Sequence, residues 1–204
     1  MKLKGRVLFL GLLLASVQAH ADDLKLVNAA RKQVGVTKAY DPAYSKLTYP
    51  NGDVALSKGV CTDVVIRALR EAHQLDLQKL VHEDMVKNFA IYPKKWGLKR
   101  TDTNIDHRRV PNLQVYFSRY WQAQKISQDA ADYEAGDVVT VTLPGNLPHI
   151  MLVSDAKESS FLSHPKQPLV IHNIGRGTQE EASLFLYKIT GHYRLPKLYL
   201  TESI

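Results

Sequence analysis

Apolar residues recur at helical spacing through the N-terminal half of the chain. Leu24, Val27 and Val34 predict a first amphipathic helix that ends at Gly35. The same spacing runs from Cys61 to Gln74 and predicts a buried helix there. Two more helices are predicted, one after Asp76 and one starting at Pro111, on the apolar positions Leu77, Leu80, Val81, Met85, Leu113, Phe117 and Tyr120.

The C-terminal half instead carries short apolar runs separated by turn residues. The runs are Asp137 to Leu143, His149 to Val153, Leu169 to Asn173 and Leu184 to Thr190. Consecutive short runs with turn signals between them predict an antiparallel meander. Helices followed by an antiparallel sheet indicate an α+β domain, and residues 22–204 have the length of a single domain.

The first 21 residues have the pattern of a secretory signal peptide. A basic start is followed by an apolar run from Val7 to Val17 and then by Ala19-His20-Ala21, which predicts cleavage after Ala21 and a periplasmic protein. The apolar run is shorter than the roughly 20 residues that span a bilayer. We therefore expect no membrane span in the mature form.

Charge adds little about partners. Loss of Lys2, Lys4 and Arg6 with the signal lowers the formal net charge from +7 to +4. This modest excess, without an interleaved aromatic and basic stripe, does not indicate nucleic-acid binding, and export argues against it.

Cys61 is the one cysteine of the chain, and in an oxidising compartment it has no disulfide partner. Gly59 and other turn residues precede it, and helical spacing follows it, so Cys61 is predicted in the first turn of a buried helix. There the helix dipole favours a nucleophilic thiolate of lowered pKa. The alternative is a buried, inert cysteine.

Two histidines are candidate partners for this thiol. Of eight histidines, His20 leaves with the signal and the other seven follow Cys61, the order found in papain-like enzymes. His149 and His172 flank predicted strands and are expected to lie side by side, one as base and one as its orienter. Asn173 is the alternative third residue. Neighbouring residues of a strand face opposite ways, so only one of His172 and Asn173 can serve, and we favour His172.

Four motifs carry a family resemblance, and they stand in the family's order: Val60-Cys61-Thr62, Gly136-Asp137-Val138-Val139, His149-Ile150-Met151-Leu152-Val153 and Val170-Ile171-His172. The chain resembles the NlpC superfamily of papain-fold cysteine peptidases and amidases, which act on bacterial cell-wall peptides. Gly-Val-Cys-Thr-Asp, His-Arg-Arg-Val-Pro-Asn and His-Asn-Ile-Gly resemble a secreted bacterial branch of it. Val60 replaces the usual Asp, and Lys157 to Pro168 resembles a loop insertion.

The resemblance implies a papain-like (NlpC-type) fold, with N-terminal helices packed on a C-terminal antiparallel sheet. It implies an exported thiol hydrolase that cleaves an amide bond in a peptidoglycan stem peptide or muropeptide, without a cofactor. Cys61 would attack the carbonyl, His149 would carry the proton and His172 would orient His149.

The segment Trp96 to Asn112 is polar and aperiodic, and is either a surface loop or a substrate-recognition loop. Its Arg108 and Arg109 are predicted to bind substrate carboxylates, for which the planar guanidinium is suited, with one arginine binding and the other structural. Asp106 or Asn104 could instead organise the loop. Tyr44 and Tyr49 are expected to line the cleft.

Two other functions are weighed against the hydrolase. One is a non-catalytic module that binds cell-wall peptides in the same cleft. The other is a metal site made by His149, His172 and Asp137, which no His-x-x-x-His or Cys-x-x-Cys spacing supports.

Overall fold

The computed structural model describes residues 22–158 and 166–200. The signal peptide and its cleavage site therefore lie outside the described residues, as does most of the segment between Lys157 and Pro168. No helix within the described ranges is long and apolar enough to cross a membrane.

From Asp22 onward, the N-terminal half contains four α-helices: α1 over residues 22–31, α2 (Cys61–His73), α3 (Leu77–Asn88) and α4 (Val110–Tyr120). The first helix ends earlier than predicted, because residues 32–36 form turns and leave Val34 exposed. The other three follow the predicted positions.

Local chemistry explains the ends of α2 and α3. In the first turn of α2, the Asp63 carboxylate accepts a hydrogen bond of 2.7 Å from the backbone N–H of Val60. At the other end Gln74 adopts a left-handed conformation with φ of 56°, which stops the helix. Asp76 then caps α3 by accepting from the backbone N–H of Gln78.

The strands form two sheets. β1 (Ala39–Tyr40) and β2 (Lys58–Gly59) make a short parallel pair just before α2. The main sheet is antiparallel with the order β3-β8-β4-β5-β6-β7. Its strands are β3 (Gln122–Ala123), β4 (Val138–Leu143), β5 (Leu147–Lys157), β6 (Pro168–Asn173), β7 (Thr178–Glu181) and β8 (Lys188–Arg194).

The predicted meander is present as β4, β5 and β6, but the last strand is displaced. The run Leu184 to Thr190 was expected to be extended, whereas β8 begins at Lys188. Leu184 is fully buried from a turn, so its apolar character reflects packing and not strand structure. β7 carries four polar or charged residues and has no apolar alternation by which the sequence could indicate it.

The sheet buries both faces. Ile150, Leu152 and Ile171 join a core formed with the helices, which includes Cys61 and Leu69. Their strand neighbours Met151, Val153 and Val170 face a second, smaller core, which also includes Leu184 and Ile189. The architecture is α+β, with α2 lying on the strands that carry the two predicted histidines.

Candidate active site

Cys61 is the first residue of α2 and is only 4% exposed. Its sulfur lies within hydrogen-bonding reach of the backbone N–H groups of Thr62 and Ile150 and of the Tyr40 hydroxyl. The contact with Ile150 places the thiol against β5 beside His149.

Burial favours the protonated form of the thiol at neutral pH. Burial raises the pKa of Cys61 to about 11, the Asp63 carboxylate adds to the rise, and the hydrogen bonds from Ile150, Thr62 and Tyr40 oppose it. The sequence led us to expect a lowered pKa at the helix start. That expectation is corrected, because removal of the thiolate from water outweighs the donors around it.

We expect alkylation of Cys61 by iodoacetamide in the folded protein to be slow at neutral pH and to rise steadily with pH up to about 11. Against a free thiol of pKa about 8.5, such a shift lowers the thiolate fraction at pH 7 by about 300-fold. The measurement is the rate of labelling against pH, with urea-unfolded protein as the control. Fast labelling at pH 7 that His149→Ala slows would instead indicate a preformed thiolate–imidazolium pair.

The predicted histidine pair is assembled by neighbouring strands. His149 on β5 and His172 on β6 are both buried, and His149 Nε2 lies 2.8 Å from His172 Nδ1. Burial, together with the neighbouring His172, lowers the pKa of His149 to about 3, and burial also lowers the pKa of His172. Both imidazoles are therefore neutral at pH 7.

The sequence did not reveal the groups beyond His172. The Glu181 carboxylate Oε1 lies 3.0 Å from His172 Nε2, and the Ser183 hydroxyl lies 3.3 Å from the same nitrogen. Arg176 forms an ion pair with the other oxygen of Glu181. Glu181 ends β7, the strand that the apolar pattern could not indicate.

Asn173, the alternative third residue, makes its hydrogen bonds away from His149. Its amide donates to the carbonyl oxygens of Ala39 (3.3 Å) and Gly59 (3.2 Å), and its own carbonyl accepts from the backbone N–H of Gly175. Asn173 thus fastens β6 to β1 and β2, which carry the chain to Tyr40 and Cys61. Strand alternation turns Asn173 away from His149, and His172 is the one of the two that lies within hydrogen-bonding distance of His149.

His149 leaves one ring nitrogen for the thiol. Its Nε2 is taken by His172, so Nδ1 is the nitrogen that remains. Among the described residues no hydrogen bond joins the Cys61 thiol to an imidazole, and His149 is not among the main influences on the pKa of Cys61. Cys61 on α2 thus contacts Ile150, the residue that follows His149 on β5, without a hydrogen bond to the imidazole; catalytic contacts are often incomplete before substrate binds.

A cleft of about 190 Å³ opens over Cys61. Its lining includes Tyr40, Trp96, Arg109 and Pro148. The Arg109 guanidinium lies 4.1 Å from the centre of the Trp96 ring, a cation–π contact that holds the side chain over the cleft. Arg109 Nη1 is buried without a hydrogen-bond partner.

Arg108 also lines this cleft, but its guanidinium is paired with a carboxylate of the protein itself. Its Nε and Nη2 donate to the two carboxylate oxygens of Asp63 at 3.0 and 2.9 Å, and both side chains are buried. The bidentate pair engages Nε and Nη2 and ties the segment before α4 to the start of α2. The segment is also no surface loop at this point, since Asp106, His107 and Arg108 are all buried.

The two tyrosines proposed for the cleft lie elsewhere. The Tyr44 hydroxyl donates to Asp102 at 3.0 Å and accepts from Asn104, and Tyr49 packs edge-on against His82. Tyr40, which no sequence pattern singled out, is the tyrosine at the thiol. Burial, together with the contact with Cys61, raises the pKa of Tyr40 to about 12.

Loop organisation is the observed role of Asn104 and Asp106. Asn104 accepts from the backbone N–H of Leu47, and Asp106 accepts from that of Asp102.

The third proposed metal ligand is also engaged elsewhere. Asp137 is fully buried and accepts from His192 Nε2 and Arg194 Nε, each at 2.7 Å. Within residues 22–158 and 166–200, no three His, Cys, Asp or Glu side chains are grouped as a metal site requires.

Two comparisons place the chain among known proteins. Residues 27–195 match the family described as a domain of unknown function, DUF1287. A protein of Escherichia coli (strain K12), described as uncharacterized protein YijF, is 55% identical over 178 residues, which cover 87% of this chain and 83% of that protein.

Proposed function

The chain belongs to the DUF1287 family, and we propose that it is a cysteine amidase or peptidase that cleaves an amide bond in peptidoglycan stem peptides. The observation that carries the proposal is the arrangement of three side chains. Cys61 begins a buried helix against β5, and the adjacent His149 is bonded through Nε2 to His172 and keeps Nδ1 for the thiol. The NlpC-like motifs supply the expectation of a papain-type fold and of a cell-wall peptide as substrate.

Neutral resting groups set the order of the proposed reaction. The thiol proton moves to His149 Nδ1 as Sγ attacks the amide carbonyl, and an S–C bond forms. The proton then passes to the leaving nitrogen as the C–N bond breaks, which leaves a thioester on Cys61. His149 then takes a proton from water as the water oxygen attacks the thioester. The S–C bond breaks, the acid product leaves, and His149 gives that proton to the sulfur of Cys61. The N–H groups at the start of α2 are the candidate donors to the oxyanion.

Periplasmic export remains part of the proposal, since the substrate is found there. It depends on the pattern of residues 1–21, and the signal can be tested by sequencing the N-terminus of the exported protein, which should begin at Asp22.

The decisive experiment is incubation of the purified mature protein with defined muropeptides, followed by mass spectrometry of the products. The proposal expects two fragments whose masses sum to the substrate plus one water, and no fragments with Cys61→Ala. The identity of the fragments names the bond that is cut.

A non-catalytic peptide-binding protein is the second candidate, and one observation favours it. The thiol is buried and its pKa is raised to about 11, a state that does not by itself supply a nucleophile at pH 7. Intact muropeptide that binds to wild type and Cys61→Ala with equal affinity, and is not cleaved by either, would establish the binding function and overturn the hydrolase.

We expect Arg109→Gln to raise KM by about ten- to a hundredfold on a stem peptide with free carboxylates. The side chain lines the cleft, is held on Trp96 and has an unpartnered Nη1, and a charge-assisted hydrogen bond contributes roughly 1.5–3 kcal/mol. The check is steady-state kinetics on the stem peptide and on its amidated analogue.

Amidation of the substrate should cost wild type the same factor and should cost Arg109→Gln nothing further. A wild-type enzyme that treats both substrates alike would show that Arg109 does not bind a carboxylate.

A further inference from the structure

A line of hydrogen bonds continues past the two buried histidines to the end of β7. His149 Nε2 meets His172 Nδ1 at 2.8 Å, and His172 Nε2 meets Glu181 Oε1 at 3.0 Å. Arg176 holds the other Glu181 oxygen. His172 uses one ring nitrogen for each of its two neighbours. The position of the hydrogen in one of these bonds therefore determines its position in the next.

From this geometry we propose that Glu181 is a positioning residue which fixes the tautomers of both histidines and so makes His149 Nδ1 the proton acceptor. The inference deepens the proposed function and, for its catalytic consequence, rests on it.

The direction follows from what each group can donate. A carboxylate only accepts, so the hydrogen on the bond to Glu181 belongs to His172 Nε2. A neutral imidazole has one N–H, so His172 Nδ1 holds a lone pair and must accept from His149. His149 then carries its hydrogen on Nε2, and its Nδ1 is left with the lone pair.

Without Glu181 the direction would be undetermined. The Ser183 hydroxyl also reaches His172 Nε2, at 3.3 Å, and a hydroxyl can donate as well as accept. If Ser183 donated, His172 would be protonated on Nδ1, His149 would accept at Nε2 and carry its proton on Nδ1, and no lone pair would face the thiol. The carboxylate at the end of the line decides between the two states.

The surroundings of the two histidines keep both imidazoles neutral. Both imidazoles are buried, and the lowered pKa of each keeps it neutral, which is the condition for a defined tautomer. Glu181 is partly accessible and is held by Arg176, whose side chain is largely exposed. The line therefore runs from the thiol side of β5, through the sheet edge formed by β6 and β7, to solvent.

Glu181→Gln tests the inference, because the amide keeps the shape of the side chain and can donate to His172 Nε2. In wild type, nitrogen NMR of histidine-labelled protein should show the Nε2–H tautomer for both His149 and His172. In Glu181→Gln a substantial fraction of His149 should change to the Nδ1–H tautomer. This readout requires no turnover, so it stands even if the protein is not a hydrolase.

Kinetics test the catalytic consequence. Glu181→Gln should lower kcat by about 10²-fold, the lower range of what a general base contributes, and should leave KM nearly unchanged. Glu181→Asp should recover part of the loss, because it restores an acceptor. Glu180→Gln is the matched control: the neighbouring carboxylate pairs with Arg31 and lies off the line, so the tautomers and kcat should stay as in wild type.

The outcomes separate cleanly. A wild-type protein with His149 protonated on Nδ1 would overturn the inference, whether or not it cleaves a substrate. Tautomers that change in Glu181→Gln without any change in kcat would overturn the catalytic role of Glu181. A protein without turnover but with the expected tautomers would overturn the hydrolase and leave the tautomer assignment intact.

Discussion

Replacing Cys61 or His149 with Ala is expected to abolish turnover, each by a factor on the order of 10⁴ to 10⁶. In the proposed mechanism the nucleophile and its base act as one unit, so the double variant should lose little more than either single variant. His172→Ala should cost less, about 10²-fold, because His149 would remain as a base of undefined orientation. The measurement is kcat/KM on a muropeptide that wild type cleaves.

Controls separate catalysis from folding in this series. Each variant should keep a cooperative melt, since a loss of structure would also remove activity. Asn173→Ala is the most informative comparison, because Asn173 fastens β6 to β1 and β2 without meeting His149. If it lowers kcat more than His172→Ala does, the third residue is Asn173. If His149→Ala keeps wild-type turnover, the proposed base is wrong.

Arg108→Gln is expected to lower the free energy of unfolding by about 3–5 kcal/mol. It removes one partner of a buried, bidentate ion pair and leaves the Asp63 carboxylate uncompensated near the start of α2. Such a loss is a large part of the roughly 5–15 kcal/mol by which a domain is stable. The check is the urea midpoint at pH 7, with the slope of the transition compared between variants.

The adjacent arginine supplies the matched control. Arg109→Gln removes a cleft side chain stacked on Trp96 and should change stability by much less. Lys32→Gln removes an exposed pair with Glu71, whose contribution is at most about 1 kcal/mol. An Arg108→Gln variant as stable as wild type but with a raised KM would return Arg108 to substrate binding.

Position at a helix start did not decide the protonation state of Cys61. A helix terminus stabilises a charged group modestly, by up to about 2 kcal/mol, whereas burial penalises it by several pKa units. The helix was visible in the sequence and the depth of burial was not. A consequence for the proposed mechanism is that substrate binding must bring His149 and the thiol into engagement.

Histidines and arginines illustrate the same division between sequence and structure. The pairing of His149 with His172 was predictable, because two short apolar runs in a meander bring nearby segments into register. The sequence predicted that Arg108 and Arg109 have different roles only from the general rule that neighbouring side chains seldom face the same way. Which of the two is buried depends on Asp63, a residue on another helix, and no local pattern in the polar segment records that contact.

The sequence by itself determined the positions of α2, α3 and α4, the three strands β4, β5 and β6, and the α+β class. It also determined that Cys61 precedes the two histidines along the chain. These properties are encoded by periodicity and turn residues within a short stretch of chain. Only the tertiary structure decided that Tyr40 and not Tyr44 or Tyr49 meets the thiol, that Glu181 meets His172, and that burial raises the pKa of the thiol. Each of these depends on groups brought together from distant parts of the chain, and on the water that their packing excludes.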